Sequence, residues 1–147
     1  MFTLAELLEQ LPELITQKSP AMNQVEYTQF DFVHPDSEES IVIHRGTKTD
    51  FESALQFWIH SIYSVQEQDL GLEHLLIYAQ AGKFVSLPAA EFCLLVEQHA
   101  YYLRSPLDLP SKGAFISAMQ MYDEWDDIAL LAEFSEEYLS FYWSTTA

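Results

Sequence analysis

The stretch that decides the fold is residues 121–147, MYDEWDDIALLAEFSEEYLSFYWSTTA. It contains two runs, residues 128–134 and 138–145, whose aromatic and aliphatic side chains suit a half-buried pleated surface. A short polar turn, residues 135–137, separates them. The pattern predicts a β-hairpin. Because an isolated apolar hairpin is not stable in water, we expect this hairpin to belong to the main sheet of the protein.

A second strand pair is predicted nearer the N-terminus. Residues 25–33 alternate between two sets of side chains, as a strand does, and residues 41–45 form a short apolar run. The connection holds Pro35 and the acidic residues Asp36, Glu38 and Glu39. These segments predict a second hairpin with an acidic tip.

Five other segments have apolar residues at helical spacing or helix-start signals, and we predict helices at residues 3–17, 49–65, 72–81, 86–104 and 113–125. Residues 72–81 also fit a buried strand, although their polar positions favour a helix. The apolar stripe of residues 3–17 fits either a core-facing helix or a dimer interface, so a monomer and a homodimer both remain possible. Phe57 lies off the apolar face of its helix and is predicted to be exposed.

These elements predict an α+β fold for residues 1–147 as a single domain. The strands come in antiparallel pairs, and the helices fall between the pairs rather than alternating with single strands. We therefore expect one antiparallel sheet, built from the two hairpins, with about five helices packed mainly on one face. No internal repeat or linker-like stretch divides the sequence.

The charge is strongly unbalanced, with 23 acidic and 6 basic residues and a formal net charge of −17. Such a field repels nucleic acids, anionic lipids and anionic substrates, and it attracts basic proteins. The first residues lack the basic flank of a signal peptide, and no apolar run is long enough to span a membrane. The single cysteine, Cys93, cannot form a disulfide within the chain. We expect a cytoplasmic protein that binds neither nucleic acid nor membrane.

Motifs for catalysis or for cofactor binding do not emerge from the sequence. The five histidines (His34, His44, His60, His74 and His99) do not have zinc-site spacing, and the four glycines are isolated, so no phosphate-binding loop is formed. No nucleophile elbow is present. The sequence predicts no metal, no cofactor and no enzymatic activity. A pocket containing His74 or His99 remains the alternative.

Acidic residues cluster at three places, and at residues 122–127 they are interleaved with Tyr122 and Trp125, which makes these clusters candidates for contact with a basic protein. Aromatic rings provide the desolvated anchor of a protein interface, and carboxylates pair with Arg or Lys. The candidate contact residues are Tyr122, Asp123, Glu124, Trp125, Asp126, Asp127, Glu136, Glu137, Asp36, Glu38 and Glu39.

The chain resembles the bacterial immunity proteins that accompany polymorphic and contact-dependent toxins. The resemblance rests on the size, the acidic α+β domain, the absence of a catalytic motif, and the tail YDEWDDIALLAEFSEEYLSFYWSTTA of residues 122–147. It implies a protein that neutralises a cognate toxin domain, often a basic nuclease, by covering its active site or substrate-binding face. Immunity proteins share no motif, so the resemblance transfers no functional residue by position.

Two other functions remain open on the sequence alone. A nucleic-acid mimic that blocks a DNA- or RNA-binding protein would need carboxylates ordered along an elongated face. A small ligand-binding domain or enzyme would need a deep cavity with converging histidine or carboxylate groups.

Overall fold

In a computed structural model that describes residues 1–65, 71–107, 109 and 113–146, the chain folds around one antiparallel sheet with helices on both faces. The strands are β1 (Asn23–Tyr27), β2 (Glu39–Thr47), β3 (Val85–Leu87), β4 (Phe115–Glu124), β5 (Asp127–Phe134) and β6 (Glu137–Thr145). The helices are α1 (Leu4–Leu14), α2 (Ala54–Val65), α3 (Gly71–Gln80) and α4 (Ala89–His99). The predicted α+β class with an antiparallel sheet is confirmed.

The C-terminal hairpin, β5 and β6, forms the centre of the sheet. The strand order is β1-β2-β6-β5-β4-β3, so β6 pairs with β2 and β5 pairs with β4. Both faces of the hairpin are covered, and Leu130, Leu131 and Phe141 have no exposed surface. Burial on both faces explains why the two runs are apolar at nearly every position instead of alternating. The prediction for this hairpin is confirmed.

The N-terminal strand pair is also present, because β1 pairs with β2 in antiparallel register. Its first strand is shorter than predicted and ends at Tyr27. The Asp31 carboxylate accepts a hydrogen bond of 2.8 Å from the backbone N–H of Thr28, which closes the 3-10 turn Gln29–Asp31. The prediction of a strand through residue 33 is therefore wrong, since this local side-chain bond replaces the strand pairing.

The helix predicted at residues 113–125 is wrong, because this segment is the strand β4. It pairs with β3 on one side and β5 on the other. The strand pairing shifts register between Gln120 and Tyr122. This irregularity interrupts the alternation of side chains, so the consecutive residues Met121 and Tyr122 are both buried. A bulged strand covered on both faces loses its alternation, and its apolar spacing then imitates that of a helix. The structure has four helices in its described part rather than five.

The helices divide unequally between the two faces. The first three, α1 to α3, share one core with β4, β5 and β6, whereas α4 packs Phe92 and Val96 into a second core on the opposite face. Leu7 and Leu11 of α1 are each 2% exposed, so the stripe of this helix faces the core. Of the predicted segment 72–81, residues 72–80 belong to α3, in agreement with the helical alternative.

Phe57 is fully buried, and the prediction that it is exposed is wrong. Its ring stacks on Tyr138 at a centroid distance of 5.7 Å and meets Phe51 edge-on at 5.3 Å. The residues Phe57 to Ile62 of α2 are all buried, so this helix has no single apolar face. A Cβ atom at Gly46 of β2 would lie 2.5 Å from the ring of Phe51, so only glycine leaves room for these rings.

Candidate protein-binding surface

The topology brings two of the three predicted acidic clusters to the same end of the sheet. β4 ends at Glu124 and β5 begins at Asp127, where it pairs with Ser144 near the end of β6. β2 begins at Glu39, which pairs with Thr145 of β6. We call this group of carboxylates the acidic end: Asp36, Glu38, Glu39, Asp123, Glu124, Asp126 and Asp127.

The last residues of β6 hold the two clusters together. The backbone N–H of Thr145 donates to the carbonyl of Asp126 at 3.0 Å, while its hydroxyl donates to the carbonyl of Ser37. The indole N–H of Trp143 donates to Glu39 Oε1 at 3.0 Å. These bonds join segments about one hundred residues apart in the sequence into one surface.

Trp125 is the most exposed large apolar side chain of this surface, with 76% of its area in solvent. It occupies the two-residue turn between β4 and β5, directly after Asp123 and Glu124, which are also exposed. Lys83 lies 3.8 Å from the Asp123 carboxylate, and within the described ranges it is the only basic residue in an ion pair with the acidic end. The turn therefore presents an indole ring among carboxylates that are largely uncompensated.

Tyr122 belongs to the core rather than to the surface. It is 3% exposed, its ring centroid lies 4.0 Å from that of Tyr78, and its hydroxyl donates to the carbonyl of Tyr78 at 2.5 Å. Burial raises the pKa of the Tyr122 hydroxyl, which therefore stays protonated and remains a donor. Tyr122 is therefore not exposed to a partner; its packing instead supports β4, the strand that leads into the turn with Trp125.

The third predicted cluster, Glu136 and Glu137, lies at the opposite end of the sheet. Glu137 pairs with Thr47 at the end of β2 and is 2% exposed. Arg45 binds it through two nitrogens, at 2.6 Å and 3.2 Å. Glu137 thus has a structural role and is not available to a partner, while Glu136 is exposed but distant from the acidic end.

Two carboxylates at this opposite end form ion pairs with basic residues. Besides the pair of Arg45 and Glu137, Lys48 lies 2.6 Å from Glu133. Arg45, on β2, and Lys48, just after β2, thus offset the charges of Glu137 and Glu133 at this end. The acidic end, by contrast, holds seven of the 23 acidic residues and has one ion pair among the described residues, Lys83 with Asp123, so it is strongly negative.

Asp127 differs from the other carboxylates of the acidic end because its side chain is partly buried on the face that carries α3. The hydroxyl of Tyr78 donates to Asp127 Oδ2 at 3.4 Å. Burial raises the pKa of Asp127 from 3.8 to about 6; the hydrogen bond from Tyr78 opposes this shift, and the neighbouring charges of Asp126 and Glu124 add to it. This carboxylate is poorly solvated and weakly paired, in contrast to exposed Glu124.

A buried polar network, which the sequence did not reveal, lies under the sheet. Ser61 of α2 contacts His44 Nδ1 at 2.9 Å, Ser140 Oγ at 2.6 Å and the Tyr142 hydroxyl at 3.0 Å. His44 Nε2 lies 2.9 Å from the amide oxygen of Gln24. Burial lowers the pKa of His44 to about 4, so the imidazole is neutral at pH 7.

This network contains a hydrogen-bonded serine and histidine, the pair that activates a nucleophile in many hydrolases. Ser61 has no exposed surface and His44 only 1%, so a substrate cannot reach the hydroxyl in this conformation. The second ring nitrogen meets an amide rather than a carboxylate, which gives the imidazole no anionic partner. The group instead satisfies buried polar atoms between α2 and the sheet.

Of the two histidines proposed for a ligand pocket, the structure describes the side chain of His99. His99 Nδ1 lies 2.8 Å from the carbonyl oxygen of Leu95, and its ring packs edge-on against Trp143. The side chain of His74 lies outside the described residues. No group of three or more His, Cys, Asp or Glu side chains in the described part of the chain is arranged to hold a metal ion.

Comparison with known proteins identifies no relative of this chain. No protein-family model, no curated protein and no solved structure matches this chain. Within the described residues, no helix is both long enough and apolar enough to cross a membrane.

Proposed function

We propose that this protein binds and neutralises a basic toxin domain or other basic enzyme by direct contact, in the manner of an immunity protein. The observation that supports the proposal is the exposed Trp125 within the acidic end. A ring that is 76% exposed in the free protein has a large apolar area to bury in a complex. Tryptophan at the centre of a contact, surrounded by polar groups, is typical of interface hot spots.

The distribution of charge indicates which end of the protein a basic partner would approach. The seven carboxylates of the acidic end have a single ion pair within the described residues, whereas at the opposite end Arg45 pairs with Glu137 and Lys48 with Glu133. A basic partner would therefore be attracted to one end of the molecule, and this attraction accelerates association at low salt. Hydrogen bonds from β6 hold the two acidic segments in place, so little ordering is needed on binding.

The two alternative functions receive less support from the geometry. A nucleic-acid mimic needs carboxylates along an elongated face, but seven of the nine candidate carboxylates gather at one end of the sheet. An enzyme needs accessible catalytic groups, and the serine–histidine pair of the core is enclosed.

Capture of the partner from the native host, followed by binding measurements on two variants, tests the proposal. Trp125→Ala removes the proposed anchor, and Ile116→Ala removes an exposed apolar side chain at the other end of β4. We expect a 1:1 complex with a basic protein whose affinity falls roughly 30-fold in Trp125→Ala, corresponding to about 2 kcal/mol, and stays unchanged in Ile116→Ala. Equal affinities for the two variants, or the absence of any basic partner, would contradict the proposal.

A further inference from the structure

A cavity of about 320 Å³ opens at the acidic end, on the face of the sheet that carries α3. Polar groups dominate its lining: Glu26, Ser40, Tyr78, Asp127, Tyr142 and Ser144. Ser40 pairs with Ser144 and Ser144 with Asp127, so these residues form one row across three strands of the cavity floor. Tyr78 of α3 reaches the Asp127 carboxylate from above the sheet. The volume is near the lower limit of small-molecule sites, which is about 300 Å³.

Two carboxylates flank this cavity. Glu26 is on β1 and Asp127 on β5, with β2 and β6 between them. Three strand spacings of about 4.8 Å and a displacement of two residues along the strands separate their Cα atoms by roughly 16 Å, so they stand on opposite rims. Neither carboxylate is in an ion pair with a residue that the structure describes.

The chemistry of the lining favours an organic cation. Partly buried Asp127 has lost much of its hydration, and the one side-chain hydrogen bond to it from the described part of the chain, donated by Tyr78, is 3.4 Å long. Its oxygens can still accept charge-assisted hydrogen bonds from an ammonium or guanidinium group. The rings of Tyr78 and Tyr142 can contact the carbon chain of such a ligand or its cationic group. Anions would be repelled from both rims.

We infer that this cavity binds one alkylammonium or alkylguanidinium group, with Asp127 as its main partner and Glu26 as the second carboxylate. A further step rests on the proposed function: in the complex, the group is a Lys or Arg side chain of the basic partner, held beside the surface formed by Trp125. The cavity and the exposed indole would then bind two neighbouring features of the same protein.

Titration with n-butylguanidinium, followed by amide chemical shifts at pH 7.5, tests the cation site. We expect saturable shifts around Asp127, Ser40 and Ser144 with a dissociation constant on the order of millimolar, and no saturable shift with neutral n-butylurea. Asp127→Asn should weaken binding about tenfold. Glu136→Gln, which removes the same unit of charge from the opposite end, should leave it unchanged. Shifts that never saturate, or equal effects of the two substitutions, would overturn the inference.

The captured partner separates this inference from the proposed function. If the partner binds the wild-type protein and Asp127→Asn with the same affinity, the cavity does not hold a partner side chain, although the proposed function stands. If n-butylguanidinium saturates the cavity but no basic partner exists, the cation site is supported and the proposed function is wrong. A tenfold loss of partner affinity in Asp127→Asn supports both.

Discussion

Replacing Phe57 by alanine tests the packing of α2 against the sheet. The side chain has no exposed surface, and its ring contacts Phe51 and Tyr138 at centroid distances of 5.3 and 5.7 Å. Truncating a buried phenylalanine costs about 3–5 kcal/mol, which combines lost burial with the cavity left behind. Domains of this size have unfolding free energies of roughly 5–15 kcal/mol. We therefore expect the variant to lose a large fraction of the stability.

Urea unfolding followed by far-UV circular dichroism measures this loss. Phe30→Ala is the matched control, since Phe30 is 71% exposed and its removal should change the unfolding free energy by less than about 0.5 kcal/mol. Phe57→Leu retains most of the apolar volume and supplies a smaller, measurable change if Phe57→Ala does not fold. A loss below about 1 kcal/mol in Phe57→Ala, or equal losses at both positions, would refute the description of α2 as buried.

Three further substitutions test other contacts by the same unfolding measurement. Gly46→Ala should cost about 1–3 kcal/mol, because the added Cβ would lie 2.5 Å from the ring of Phe51; a neutral result would mean that this ring moves freely. Glu137→Gln should destabilise the protein by about 2 kcal/mol or more because it removes the carboxylate charge that pairs with partly buried Arg45, and an unchanged stability would show that this ion pair contributes nothing. Asp127→Asn should stabilise the protein by about 1 kcal/mol at pH 7 and not at pH 3.5.

The sign of the last prediction follows from the raised pKa of Asp127. Between its usual pKa of 3.8 and its folded value of about 6, the folded protein binds more protons at this carboxyl than the unfolded chain does. Stability therefore falls as the pH rises through this window, and the asparagine variant lacks this loss. An asparagine variant with the same pH dependence as the wild type would contradict the assignment.

The sequence predicts an element correctly where the local pattern of apolar residues matches the burial of that element in the fold. Both hairpins were predicted because their strands are flanked by turns and because strand neighbours in the chain are also neighbours in the sheet. β4 was mistaken for a helix because it is covered on both faces and carries a bulge next to Tyr122. The prediction that Phe57 is exposed is wrong because α2 is buried on nearly every side. A prediction from apolar periodicity requires a helix with one face toward solvent.

The candidate surface depended on pairing that no local pattern contains. The two acidic segments meet because β6 lies between β2 and β5, which places Glu39 and Asp127 at the same end. The burial of Glu137 depends on Arg45, 92 positions earlier in the sequence. The cavity beside Asp127 likewise combines residues of four strands and two helices. The types of contact residue were therefore predictable, but not which of them share a surface.

The association rate of the partner complex in two charge-reversal variants tests the central claim most directly. Glu124→Lys acts at the acidic end and Glu136→Lys at the opposite end; both positions are exposed, and both substitutions change the net charge by two units. If the acidic end binds the partner, Glu124→Lys lowers the association rate roughly three- to tenfold at low salt, and Glu136→Lys leaves it close to the wild-type value. Equal reductions in both variants would show that only the overall charge matters, and would contradict the claim that the acidic end is the binding surface.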